Sequence, residues 1–186
     1  MPASDGVTGA GPGDDEPPWL DDAERDAWLE VATIVLQLPG LLDAQLKRDA
    51  DLGLFEYMVL SWLSMSPDRR LRMGELAQLA RGSMSRLSNV VKRLEARGWV
   101  ERAPDPTNGR YTLAILTDAG WGIVEHAAPG HVRAVRRYVL DPLTTDQVGT
   151  LQHLGSLLAE RIRDGVRGEQ AVEACQDDAD PVPPTC

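Results

Sequence analysis

The stretch GSMSRLSNVVKRLEARGWV, residues 82–100, decides how the rest of the chain reads. At about 100° per residue, Leu87, Val90, Val91 and Leu94 fall on one side of a helix. Ser85, Asn89 and Lys92 fall opposite, with Arg86 and Arg93 on one flank and Ser88 on the other. Ser83 is placed to cap the N-terminus, where free backbone N–H groups favour an anion such as a phosphate. Immediately upstream, RMGELAQLA predicts a short helix with Leu76, Ala77 and Ala80 facing inward, joined through a small turn containing Gly82. Two helices so joined, the second with short polar and basic residues outward, describe a helix-turn-helix. The second helix of that motif enters the DNA major groove. There Arg pairs with guanine, Asn with adenine, and Ser reaches a base or a phosphate.

A basic face on one amphipathic helix is weak evidence, because most such faces are merely solvated. The adjoining segment strengthens it. WVERAP and RYTLAILT have strand character and are separated by DPTNG, in which Asn108-Gly109 predicts a hairpin turn using positive φ. A two-stranded ribbon directly after a helix-turn-helix makes a winged helix. The tip region of the ribbon carries Arg102 and Arg110, suited to phosphate or to a narrow minor groove.

Charge is sorted along the chain. The formal net charge is -10, yet between Arg69 and Arg110 ten basic residues face four acidic ones, a net of +6 against -16 for the remainder. A local positive patch offsets phosphate, while the acidic remainder keeps the protein soluble and off non-specific polyanions.

Working outward, residues 1–18 are rich in Gly, Pro and Asp and read as a disordered tail, as do residues 165–186, which are acidic. From Asp22, Trp28, Val31, Val35, Leu38, Leu42 and Leu46 recur at helical spacing, and Pro39-Gly40 predicts a kink or local break. LFEYMVLSWLSMSP predicts a second helix stopped by Pro67. Beyond the ribbon, Thr117 is placed to cap a helix bent at Pro129-Gly130 and ended at Asp141-Pro142. Thr144 and Gln147 have capping-box spacing at the start of a last helix, whose inward stripe is Val148, Leu151, Leu154, Leu158 and Ile162. The division is therefore 19–52 for an N-terminal dimerisation helix, 53–117 for the winged helix-turn-helix, and 118–164 for C-terminal dimerisation helices.

The expected fold class is mainly α with a small β-hairpin wing. The outer helices carry more apolar surface than one small winged helix covers, which points to a homodimer, the commonest closed symmetry. No stretch reads as apolar enough to span a bilayer, and the N-terminus lacks signal-peptide features, so a cytoplasmic protein is expected. Cys175 and Cys186 belong to no metal-spaced set. The histidines 126, 131 and 153 stand in no nucleophile or paired-carboxylate pattern, so neither an enzyme nor a cofactor is expected. His126 and His131, with Glu125 beside them, are better read as two partly exposed helix histidines than as metal ligands. A winged helix used only to bind protein is the remaining rival, and it would show apolar residues where Ser85, Arg86, Asn89 and Lys92 stand.

The pieces LFEYMVLSWLS, LRMGELAQLA, SMSRLSNVVKRLEARGWVER, LTDAG and AAPGHVRAVRRYVLDPLTTDQ, in that order from about Trp19 to Arg163, resemble the MarR (multiple antibiotic resistance regulator) family of transcriptional regulators. The resemblance implies a homodimer with interlocked first and last helices, each subunit offering one winged helix to a pseudo-palindromic operator. It implies Ser83, Ser85, Arg86 and Asn89 near bases or adjacent phosphates, with Lys92 and Arg93 supporting backbone contacts. The family's wing usually carries Asp-x-Arg, whose carboxylate helps hold the wing. Here the run is Asn108-Gly109-Arg110, which keeps the arginine and loses the aspartate. Many relatives bind small aromatic or phenolic compounds between the dimer helices and the winged helix, on elements that here carry Trp28, Tyr57 and Trp62. The implied function is a repressor released by such an effector, with a regulator lacking any effector as the alternative.

Overall fold

A computed structural model of the chain describes residues 17–177, with side chains through residue 166. The first helix, α1 (Asp22–Ala50), opens at a reciprocal cap. The Asp21 carboxylate accepts from the Glu24 amide at 2.8 Å, and the Glu24 carboxylate accepts from the Asp21 amide at 2.9 Å. The helix runs unbroken through Pro39-Gly40. Pro39 deprives the Val35 carbonyl of its helical donor, but Val35 is exposed and water can take that place. Between Asp26 and Lys47 the only charged residues are Glu30 and Asp43. By length and composition α1 could therefore cross a membrane, contrary to the expectation that no segment could.

The core gathers around α2 (Leu54–Met65), whose Val59, Leu60 and Leu63 are fully buried. Leu76 of α3 (Met73–Ala80) and Leu87, Val91 and Leu94 of α4 (Met84–Ala96) close onto them, joined by Leu46, Leu52, Val100 and Ala114. The wing is one strand larger than expected. β2 (Val100–Pro104) and β3 (Thr112–Leu116) form the hairpin, and β1 (Arg70–Arg72) pairs with the other edge of β3, giving the antiparallel order β1-β3-β2. Leu71 and Arg102 both stand opposite Ala114, one on each side.

The hairpin does not turn at Asn108-Gly109 as expected, since neither residue has positive φ. Residues 105–111 instead make two successive turns, closed by Asn108 N–H to Asp105 O at 3.1 Å and Tyr111 N–H to Asn108 O at 3.0 Å. The Asn108 side chain accepts from the Arg110 amide at 3.2 Å, the local turn bond asparagine offers.

The junction from the wing into α5 (Asp118–Val135) is tight. Thr117 Oγ1 accepts from the Gly120 amide at 3.0 Å, as its capping role predicts, and donates to the Gly98 carbonyl at 2.8 Å. A Cβ at Gly120 would lie 2.1 Å from the Trp99 carbonyl oxygen, so only glycine fits there. The α5 helix packs along α1 and continues through Pro129-Gly130 as one helix. A wider π-type turn, Arg136–Leu140, leads to α6 (Thr145–Asp177). There Thr144 and Gln147 cap each other at 2.9 and 3.4 Å.

The expected C-terminal boundary changes. The α6 helix continues through Gly165, where a tail was expected, to Asp177; Cys175 lies on its backbone, while Cys186 and residues 1–16 fall outside the described residues. The apolar stripe of α6 is not covered within the subunit, and Ile162 is 62% exposed. Of the stripe on α1 only Leu46 is fully buried. The N-terminal part of α1 and the apolar row of α6 from Leu151 to Ile162 thus stand clear of the core that holds the winged helix.

Candidate nucleic-acid interface

The α3–α4 corner is built by sterics. Arg81 ends α3 in the left-handed region (φ 47°), and Gly82 follows at a point where a Cβ would sit 3.0 Å from the Phe55 ring. The left-handed residue is therefore Arg81, and glycine is needed next to it for close approach. Ser83 Oγ accepts from the Arg86 amide at 3.2 Å, capping α4, and lies 3.0 Å from Ser85 Oγ. Leu87, Val90, Val91 and Leu94 are buried as their spacing predicts, which turns Ser85, Arg86, Asn89 and Lys92 to the surface.

Hydrogen bonds and ion pairs divide Asn89 and the basic side chains of α4 and the wing into two groups. One group is held inside the subunit. Arg93 Nε donates to Glu56 Oε1 at 3.0 Å; Arg97 grips the Asp51 carboxylate and carbonyl, each at 3.0 Å, and stacks over Trp99. Arg102 lies in mid-β2 rather than at the wing tip, with Nε and Nη2 on Glu95 Oε2 at 3.0 and 2.6 Å. That bond holds the Glu95 carboxyl below its ordinary range. In the other group the Asn89 amide, the Lys92 ammonium and the Arg86 and Arg110 guanidinium groups have no polar partner among the described residues. Arg86 only stacks over Phe55, 4.4 Å from the ring centroid. The unpartnered groups lie on one helix face and on the wing tip. Ser83 is occupied as a cap, and Arg93 and Arg102 are already neutralised.

The wing is held by residues the sequence did not single out. Asp105 is 5% exposed. Its Oδ1 accepts from the Thr107 hydroxyl at 2.7 Å and amide at 2.8 Å, and its Oδ2 accepts from Arg72 Nε at 2.7 Å. The Thr107 hydroxyl and amide, then the Arg72 guanidinium, lower the Asp105 carboxyl from 3.8 to about 2. The carboxylate missing at residue 108 is thus replaced by one three residues earlier, with its arginine on β1.

Behind the outer face of α4 runs a groove of about 930 Å³ between α1, α2 and α4, lined by Pro39, Lys47, Phe55, Met58, Trp62 and Arg86 among others. Three flanking carboxylates are engaged there. Asp43 takes Lys47 at 2.6 Å and the Leu54 amide at 2.8 Å, while Glu56 and Asp51 hold Arg93 and Arg97. Of the three aromatics expected to line a ligand crevice, only Trp62 does. Tyr57 is 5% exposed, packed in the core with its ring 4.5 Å from that of His131, and Trp28 is 58% exposed on the uncovered face of α1. Burial pushes the His131 imidazole below its ordinary value. Among the described residues no three His, Cys, Asp or Glu side chains cluster as metal ligands.

The sequence pattern described as "MarR family" matches residues 50–110. Sco3205 from Streptomyces coelicolor, a MarR family transcriptional regulator solved in complex with DNA, is 44% identical with a TM-score of 0.75, covering 79% of this chain and 92% of that one. AbsC, another MarR family transcriptional regulator from that organism, is 32% identical with a TM-score of 0.76, covering 80% and 99% respectively. The multiple antibiotic resistance protein MarR of Salmonella typhimurium is 34% identical over 82 residues, 43% of this chain; the match spans only 56% of that protein's length.

The depressed Asp105 carboxyl sets a pH signature. Its contribution to stability is present above the unfolded value of 3.8 and is lost as pH falls through about 2. In urea denaturation, Asp105→Asn is expected to be less stable than the parent at neutral pH, with the gap narrowing below about pH 4. A gap that stays constant across that window would rule out the buried pair.

Proposed function

The chain belongs to the MarR family of winged helix-turn-helix transcriptional regulators, a family of non-enzymes, and on that footing we propose that it binds duplex DNA as a homodimer and represses transcription by occupying an operator. One observation carries this reading: Arg86, Asn89, Lys92 and Arg110 project outward from α4 and the wing with no polar partner among the described residues. On this reading α4 lies in the major groove, with Arg86 and Asn89 at base edges and Ser83, Ser85 and Lys92 near phosphates. Arg93 supports them only by exchanging Glu56 for a phosphate, and Arg102 likewise must leave Glu95. Arg110 reaches the backbone or minor groove from the wing tip. Repression is the simplest output because occupancy alone achieves it, and a cytoplasmic location is what a DNA target calls for.

The dimer is supported by the uncovered apolar rows of α1 and α6, which include Trp28, Ile34 and Val35 on the first and Leu154, Leu158 and Ile162 on the second. A two-fold axis through them would set two α4 helices about 34–36 Å apart, one turn of the duplex, and so select a pseudo-palindrome. Sedimentation is expected to show a dimer at micromolar concentration; a stable folded monomer would contradict it.

For the effector, the groove behind α4 offers Phe55, Met58 and Trp62 as apolar wall and Arg86 as a cation without a carboxylate. That combination suits a small aromatic acid. Because Arg86 serves both surfaces, an anion bound to it competes with DNA for the same guanidinium, the differential binding that release requires. Titration with aromatic acids and phenols is expected to quench Trp62 and to weaken DNA binding. If neither signal moves, the effector reading is wrong and the regulator acts without one.

Base reading and phosphate contact separate by mutation. Arg86→Ala is expected to cost about 1–3 kcal/mol on a duplex selected from a random pool and much less on scrambled DNA. Log affinity of the parent should fall steeply with log salt. Equal losses on both duplexes would remove Arg86 from the base-reading role, and a flat salt dependence would favour a protein-binding winged helix.

A further inference from the structure

Arg72 occupies three structural positions at once. It is the last residue of β1, opposite Leu113 of β3, and it immediately precedes α3, with its amide donating to Glu75 Oε2 at 3.3 Å. Its guanidinium spans the root of the wing loop. Nε donates to Asp105 at 2.7 Å, Nη2 reaches Thr107 Oγ1 at 3.3 Å, and the plane lies over Tyr111, 4.7 Å from the ring centroid. Asp105 and Tyr111 are the two ends of that loop, joined by the Asp105 amide donating to the Tyr111 carbonyl at 2.9 Å. One side chain therefore grips both ends of the loop that carries Arg110, while its backbone begins the helix pair that ends in α4.

We propose that Arg72 is the positioning residue of the wing: through Asp105, Thr107 and Tyr111 it fixes the loop to the start of the helix-turn-helix, so that Arg110 and the α4 face meet one duplex together. Arg72 itself faces the wing root and needs no contact with DNA. The inference rests on the DNA-binding reading above. The geometry also fits the chemistry. A guanidinium can serve a carboxylate with Nε, a hydroxyl with Nη2 and an aromatic face with its plane, and an ammonium cannot. The Asp105 carboxylate is buried and charged, so it exerts a directional pull on Arg72 that an exposed pair would lack.

The test combines hydrogen exchange in the free protein with a double-mutant cycle on DNA. In the full chain Arg72→Ala, and Arg72→Lys as the variant that retains charge and stem, are expected to speed exchange at amides of residues 105–111 and leave the α4 amides unchanged. On a duplex selected from a random pool, Arg72→Ala and Arg110→Ala are each expected to weaken binding and to lower the salt slope by about 1. Adding Arg72→Ala to Arg110→Ala should then change affinity by less than about twofold, because both act through the same contact. Unchanged exchange in the loop overturns the tether whatever the DNA result. Losses that multiply in the double variant overturn the positioning role, since Arg72 would then act independently of Arg110. An Arg110→Ala variant with parental affinity overturns the wing's contact with DNA, and with it this inference.

Discussion

The arrangement depends on burial of four side chains, Leu87, Val90, Val91 and Leu94, against α2 and α3. Each is worth roughly 1.5–3 kcal/mol relative to exposure. Rotating α4 by one residue would exchange that gain for burial of Arg86, Asn89 or Lys92 without partners, which costs several kcal/mol more. The core therefore fixes the angular position of the helix, and the helix presents its polar face as a consequence. Sequence decides a hydrophobic stripe, packing converts the stripe into an orientation, and orientation selects which groups meet a ligand.

Electrostatics refine that orientation. Asp43, Asp51, Glu56 and Glu95 are set beside Lys47, Arg97, Arg93 and Arg102, so those cations are balanced inside the subunit. These pairs are partly exposed and add little stability individually. Their effect is on selectivity: they balance four cations inside the subunit and leave Arg86 and Lys92 on the outer face of α4 and Arg110 on the wing tip uncompensated. A net count along the chain finds the basic window but does not distinguish Arg93 from Arg86, because the difference lies in carboxylates brought from distant segments.

What could be read in advance was local. Helical periodicity, the caps at Ser83, Thr117 and Thr144, and the buried face of α4 each depend on residues within four positions of one another, and each recurs in the structure. What could not be read was non-local or too short. The strand β1 has three residues and borrows its order from β3. Arg72 and Asp105 are 33 positions apart, and nothing near either one marks the pair. The Asn-Gly hairpin signal is outweighed by the anchored Asp105, which organises a longer loop with ordinary turns. Pro39 suggests a kink or local break and Pro129 a bend; the helices continue through both, because both sites are exposed and water can satisfy the freed carbonyls. Tyr57 has the look of a pocket residue and is core, since periodicity finds the buried side of a helix without saying what covers it.

The seat of Gly120 on the Trp99 carbonyl has a mechanical consequence. With Thr117 bonded to Gly98 on the same stretch, backbone meets backbone at the join between the end of the helix-turn-helix and the start of α5, and the Leu116 side chain closes the space beside it. Two rigid pieces meeting backbone to backbone cannot slide there without breaking hydrogen bonds. A side chain at residue 120 would push the start of α5 off the Trp99 carbonyl, so glycine sets how closely α5 seats on the helix-turn-helix.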